Sequence, residues 1–442
     1  MVKKWMLDLL TFLIVVLMMG VIYAQSTEEG EAVTAAEKEK PEFGFNMNFN
    51  IGLSSYEDID GNQIAFQKFS FLPEFSYGKW GVGLDLTFEF DGDFNLRDLN
   101  RDGKADTWTK FSDYLYKIYY VRYGHKGEPI YGRIGAFDTY TLGHGLLMYK
   151  FTNTLFYPQV HQLGLNLDID GKIFNFPLLG FESVVDDVLD WDIIGLRVYA
   201  RPLMNIPSPL LSKLKVGASF IMDADPQEDP LTDPPGDNPA SDSVTTFGVD
   251  TELPLLERGA MSLITYADWA SIGGKGSGAM LGSTFTYGWF DLIAQLRFFG
   301  KHFVYGYFDQ YYERERPFKY DSLDAITEFY IGYLLGTDMS LFNFINFYFY
   351  WEDGFNDPYG SRIQTGVMTV ENAIPKFDVS FSYDKKDIDS FKDFFSTEDS
   401  LIRLIVAYRV TTFAKIVFIQ QRTFTPSGKS TSQTFVETRF SF

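Results

Sequence analysis

From Phe43 onward the chain alternates apolar and polar residues with a period of two. Phe43, Phe45, Met47, Phe49, Ile51 and Leu53 stand against Gly44, Asn46, Asn48, Asn50 and Gly52. Further on, Val82, Leu84, Leu86, Phe88 and Phe90 stand against Gly83, Asp85, Thr87, Glu89 and Asp91. Period two puts successive side chains on opposite faces of a strand. Acids at every second position cannot face a dry core. They can face a water-filled lumen while their apolar neighbours face lipid. The same reading repeats to the C-terminus and gives about 20 strands, between about 18 and 22. Two of the expected starts fall near Tyr114 and Phe174. The fold class is therefore all-β, a transmembrane antiparallel up-and-down β-barrel over residues 43–442.

The connections carry a second signal. Counted from the first strand, even-numbered ones are mostly short, as at Gly78 to Gly81 and Gly288-Trp289. Odd-numbered ones include the long segments Asp91 to Ser112, Thr139 to Gln162, Ala224 to Ser243, Lys301 to Ile326 and Lys385 to Ser400. Short periplasmic turns alternating with long outside loops are a barrel pattern. Pro202 to Ser212 is a long exception on the short side.

Residues 1–24 read as a signal peptide. Lys3 and Lys4 precede an apolar run from Leu9 to Tyr23, and cleavage is expected after Ala24. Residues 25–42 are acidic, lack an apolar face and read as a flexible periplasmic tail. No later apolar run is long enough to span a membrane as a helix. The 44 Phe and 27 Tyr fit strands and interfacial girdles. Without cysteine, thiolate catalysis and zinc–thiolate sites are excluded. A net charge of −21 argues against nucleic acid.

Thr434, Val436, Thr438, Phe440 and Phe442 share one face of the last strand. This end resembles the terminal strand by which the bacterial barrel-assembly machinery recognises its substrates, with Phe440 and Phe442 as the assembly signal. The whole chain resembles the porin-like outer-membrane barrel superfamily. That resemblance implies the cell outer membrane as location and its lipid as partner.

Strand parity turns Arg133, Arg197, Arg201, Arg297, Arg403 and Arg409 inward, together with Asp85, Glu89 and Asp291. Arginine facing lipid at mid-membrane is costly, so a pore-lining role is expected. The loop Thr139 to Gln162 is too apolar to sit free in water and is expected to fold into the lumen. In the outside loop, Asp98, Asn100 and Asp102-Gly103 have the spacing of an EF-hand calcium loop. The Lys104 carbonyl and Asp106 carboxylate fit the next ligand positions, while Thr109 replaces the final Glu. Ca2+ is the one cofactor expected. The acidic loops should concentrate cations at the mouth, within roughly 8 Å at physiological salt.

The function expected is passive diffusion of small polar solutes or ions through a porin-like channel, and not enzymatic. Two alternatives stay open: a structural or surface-interaction barrel, and a transporter of hydrophobic ligands that land on the aromatic loop from Phe303 to Tyr312. The mature protein should begin near Gln25. Mass spectrometry of purified membranes checks this, and an intact Met1 terminus would contradict export by cleavage.

Overall fold

The computed structural model describes residues 43–57, 63–97, 111–157, 160–228, 242–355, 360–424 and 430–441. Twenty strands form one antiparallel sheet. They are β1 (Phe43–Glu57), β2 (Gln63–Tyr77), β3 (Trp80–Leu84 and Leu86–Phe90), β4 (Ile118–Tyr123), β5 (Ile130–Gly135), β6 (Gly164–Asp170), β7 (Leu179–Asp187), β8 (Asp190–Ala200), β9 (Lys215–Asp223) and β10 (Val244–Arg258). The second half holds β11 (Met261–Ile272), β12 (Gly276–Tyr287), β13 (Phe290–Phe299), β14 (Tyr330–Leu341), β15 (Ile345–Phe355), β16 (Ser361–Thr369), β17 (Phe377–Ile388), β18 (Ser400–Arg409), β19 (Ala414–Phe424) and β20 (Ser430–Ser441). Each strand pairs with the next in sequence. β1 then pairs with β20, from Asn48 opposite Ser441 to Tyr56 opposite Gln433, and the sheet closes. Closure leaves no edge, which the hydrocarbon core of a bilayer requires.

The expected number and alternation of strands are both present. Two starts differ. Residues near Tyr114 form a short helix, α1 (Phe111–Leu115), so β4 begins later. Gly171–Phe174 is a 3-10 turn capped by the Asp170 carboxylate, which accepts from the Lys172 amide, so β7 begins later.

Burial is inverted relative to a soluble protein. On β8, Arg197 is 4% exposed between Leu196 at 37% and Val198 at 49%. On β10, Asp250 is buried while Phe247 and Val249 are exposed. On β13, Arg297 is buried while Leu292 and Leu296 are exposed. Such a wall is stable where the outside solvent is lipid and the inside offers polar partners. Exposed rings such as Tyr77, Trp80, Tyr287, Trp289, Phe342 and Phe413 cluster at the end with the short turns. They form an interfacial girdle. A closed antiparallel barrel with this belt makes the chain an outer-membrane barrel protein.

Two long connections fold into the lumen. Residues 136–163 join β5 to β6, and residues 300–329 join β13 to β14. The second contains a helix, α2 (Tyr312–Ser322). Phe137, Met148, Phe151, Phe303, Phe308 and Tyr312 from these segments are buried in one cluster with Val184, Ile193 and Ile221 of the wall. Inward folding of the described part of residues 139–162 agrees with its composition. The aromatic segment from Phe303 to Tyr312 is also inside, which removes it as an exposed landing surface.

Leu296→Arg puts a guanidinium on the lipid face beside the buried Arg297. The barrel should lose about 2–4 kcal/mol if the site lies at mid-membrane. Reversible folding into lipid vesicles measures this, and an unchanged stability would contradict the assigned faces.

Candidate functional site

The two inward segments bind each other at their tips. Met148–Tyr149 runs parallel to Phe308–Asp309. The Gly306 amide donates to the Leu146 carbonyl at 3.0 Å, and the Phe308 amide to the Leu147 carbonyl at 3.0 Å. Both segments are also tied to the wall. The Asn153 side chain accepts from the Phe137 amide at 2.8 Å and donates to the Asp186 carbonyl at 3.0 Å. His144 lies between Asp268 of β11 at 2.9 Å and Glu252 of β10 at 3.2 Å. Its ring stacks on Tyr266 with centroids 4.3 Å apart. Gly278 of β12 makes room for Phe303, since a Cβ there would fall 2.5 Å from the ring.

Helix α2 is braced on both sides. Arg316 pairs with Asp223 of β9 (Nε donating at 2.8 Å), with Asp192 of β8 at 3.3 Å, and with Glu228. The Tyr312 hydroxyl also donates to Asp223. On the other side Lys386 of β17 pairs with Glu315 at 2.7 Å. Asp309, just before the helix, receives Lys319 at 2.6 Å and Arg362 of β16 at 3.5 Å. Breaking such a buried pair typically costs about 3–5 kcal/mol, because it strands a charge. The helix therefore acts as a strut between opposite walls.

The parity-predicted residues fall as follows. Arg197 forms a two-point contact with Asp250 at 2.7 and 2.8 Å and also pairs with Glu182 at 3.0 Å. Arg297 pairs with Glu352 at 2.8 Å and lies 3.4 Å from the Tyr305 ring centre. Arg201 pairs with Asp170 at 2.6 Å and Arg409 with Asp378 at 3.2 Å. Arg133 donates to the Ala136 carbonyl at 2.8 Å. Arg403 is exposed on the same strand face as the buried Ala407. Arg133 and Arg403, from well-separated strands, are both near enough to Tyr119 for their charges to act on it, as is Asp85. Glu89 is buried and accepts from Ser54, Tyr56 and Arg97 at 2.6–2.7 Å. Asp85 is buried, and Asp291 is half-buried on the face that holds Arg297. Phe440 stacks on Phe49, with centroids 6.3 Å apart. Asp98, Asn100, Asp102, Lys104, Asp106 and Phe442 lie outside the described residues, as do residues 1–42.

Sequence reasoning missed Arg316, Arg362, Lys386 and Lys150. The Lys150 ammonium sits at the tip of the first inward segment against three tyrosine rings, the nearest being Tyr350 at 4.0 Å. Asp190, Asp192 and Glu228 place carboxylate oxygens within 4.8 Å of one another, and Arg316 supplies a cation to two of them. A cavity of about 560 Å³ lies at the end with the long connections. Tyr305, Tyr311, Phe318, Arg297, Arg362 and Glu352 line it.

No family model matches the chain, and no curated protein matches it. Solved structures similar to it include OpdL of Pseudomonas aeruginosa, at 8% identity over 91% of this chain and 99% of that chain, with a TM-score of 0.35. A mutant form of Rh. blastica porin gives 11% identity, 91% and 100% coverage, and a TM-score of 0.32. OccAB2 of Acinetobacter baumannii gives 9% identity, 91% and 98% coverage, and a TM-score of 0.36. Likeness at this level assigns neither a solute nor a site.

The His144 anchor makes a pH prediction. Burial works against its charge, but hydrogen bonds to Asp268 and Glu252 outweigh this and hold its pKa up at about 9. The folded value exceeds the unfolded value of about 6.5. Its stabilisation is therefore complete below about pH 6.5, shrinks as pH rises, and is gone above about 9. The gap in unfolding midpoint between wild type and His144→Gln should close over that window. A gap independent of pH would contradict the charged anchor.

Proposed function

We propose that the protein is a narrow porin-like channel for passive diffusion of small polar solutes or ions. The reading is supported chiefly by the ion-paired interior and by the outer cavity of about 560 Å³ that Arg297, Arg362 and Glu352 line. Cavities of this size suit small molecules. Ion pairs such as Arg297–Glu352 and Arg362–Asp384 line the interior with polar groups held in place. The reading is non-enzymatic. Outer-membrane lipid and the barrel-assembly machinery belong to it as partners. The spacing from Asp98 to Asp106 adds a Ca2+ site on the outside surface, on sequence grounds alone.

The dense filling around Met148, Phe303 and Tyr312 favours a second reading, in which the barrel is closed and serves a structural or surface role.

Planar-bilayer recording separates the two. The channel reading predicts discrete conductance steps smaller than those of a wide-open porin. Arg316→Ala, which loosens the strut, should enlarge the steps and add noise. Purified, folded protein that gives no current in either form would move the assignment to the closed barrel.

A further inference from the structure

The channel reading leaves open which charge governs passage. Lys150 occupies an unusual place in the lumen. It follows Met148–Tyr149, the pair that meets the second inward segment, so it stands where the two segments join. Its backbone takes a left-handed conformation, with φ at +54°. Non-glycine residues adopt this rarely, and such strain persists only where the surroundings enforce it. Here the Lys150 amide donates to the Thr141 hydroxyl at 3.0 Å and fixes the bend.

The side chain reaches across to β15. Its ammonium lies 4.0 Å from the centre of the Tyr350 ring, 5.2 Å from Tyr149 and 5.8 Å from Tyr348. The two wall tyrosines are held flat by glycines on neighbouring strands. Gly336 of β14 is opposite Tyr350, and Gly366 of β16 is opposite Tyr348. A Cβ at Gly336 would fall 2.3 Å from the Tyr350 ring, and one at Gly366 would fall 2.4 Å from the Tyr348 ring. Rings laid against the wall turn their faces to the lumen, the geometry that attracts a cation.

The partners nearby are unequally shared. Arg297, Arg362, Lys319 and Lys386 are each paired with a carboxylate, at 2.8, 2.8, 2.6 and 2.7 Å in turn. Among the described residues Lys150 has no carboxylate partner. Asp338 accepts from the hydroxyl of Tyr350, and its charge acts on Lys150 without direct contact. An ion pair cancels much of a lysine's field, whereas an aromatic cage holds the ammonium with no carboxylate in contact. Arg362 and Glu352, which line the outer cavity, and Asp384 are also near enough for their charges to act on Lys150.

We propose that Lys150 is the selectivity-determining residue of the lumen and a contact site for small anionic solutes. The proposal rests on the channel reading. It acts at a different place from the acidic outer loops, whose charges are expected from the sequence to attract cations to the mouth. Those charges are screened at high salt, where the Debye length falls to about 3 Å at 1 M. Lys150 is part-buried and is screened less. Anion preference should therefore strengthen, or first emerge, as salt is raised.

The test is the zero-current potential of the full chain across a potassium chloride gradient in planar bilayers. Wild type is expected to favour chloride at high salt. Lys150→Met should lower the chloride-to-potassium permeability ratio by about threefold or more, and Lys150→Arg should keep the wild-type ratio. The chain has no cysteine, so Lys150→Cys carries the only thiol. Its modification by 2-aminoethyl methanethiosulfonate restores a positive charge in an already folded barrel and should restore chloride preference. The negatively charged 2-sulfonatoethyl reagent should push the ratio toward potassium. Clear steps with the same ratio in wild type, Lys150→Met and both modified forms would overturn the proposal and leave the channel reading standing. Absence of steps in folded wild type would overturn the channel reading and this proposal with it.

Discussion

A strand in hydrocarbon has no water to satisfy its backbone, so the sheet must close, and the pairing of β1 with β20 is the contact on which everything else depends. Closure fixes two solvents on two faces. Leu196 and Val198 are exposed because lipid is outside, and Arg197 between them is buried because Asp250 and Glu182 are inside. One alternation therefore serves both as a membrane anchor and as the wall of a polar interior.

Twenty strands enclose more space than wall side chains can fill, and the protein fills it with its own connections. The apolar parts of residues 136–163 and 300–329 pack against the wall from β7 to β14, around Val184, Ile193, Ile221, Ile272 and Met280. Charged side chains reach both walls: Arg316 meets Asp192 and Asp223 of β8 and β9, while Asp309 and Glu315 meet Arg362 and Lys386 of β16 and β17. Helix α2, braced by Arg316 toward one wall and by Glu315 toward the other, holds this filling in place.

The barrel was legible in the sequence because a strand's side-chain period is two and can be read without knowing any partner. The same period was the ground for expecting inward arginines, and Arg197 and Arg297 are buried. The inner architecture was less legible. Phe303, Tyr307 and Phe308 read as an exposed landing surface and are instead buried, since composition does not say on which side of the rim a loop folds. Helix α2 gives no clear apolar stripe: Tyr312, Glu313, Arg316 and Lys319 are all buried, and Pro317 interrupts the pattern. The setting of Lys150 depends on cross-strand register, which places Gly336 opposite Tyr350 and Gly366 opposite Tyr348. Register comes from strand pairing in space and is not written in any local stretch.

The account turns on two long connections lying inside the barrel and bonded to each other. Hydrogen exchange of the Gly306 and Phe308 amides tests this most directly, because each donates to a carbonyl of the other segment. In the folded protein in lipid, peptides covering 303–309 should exchange as slowly as the strands β13 and β14 that flank them. Exchange at the rate of an unstructured loop would show that the segments do not cross the lumen, and would contradict the account.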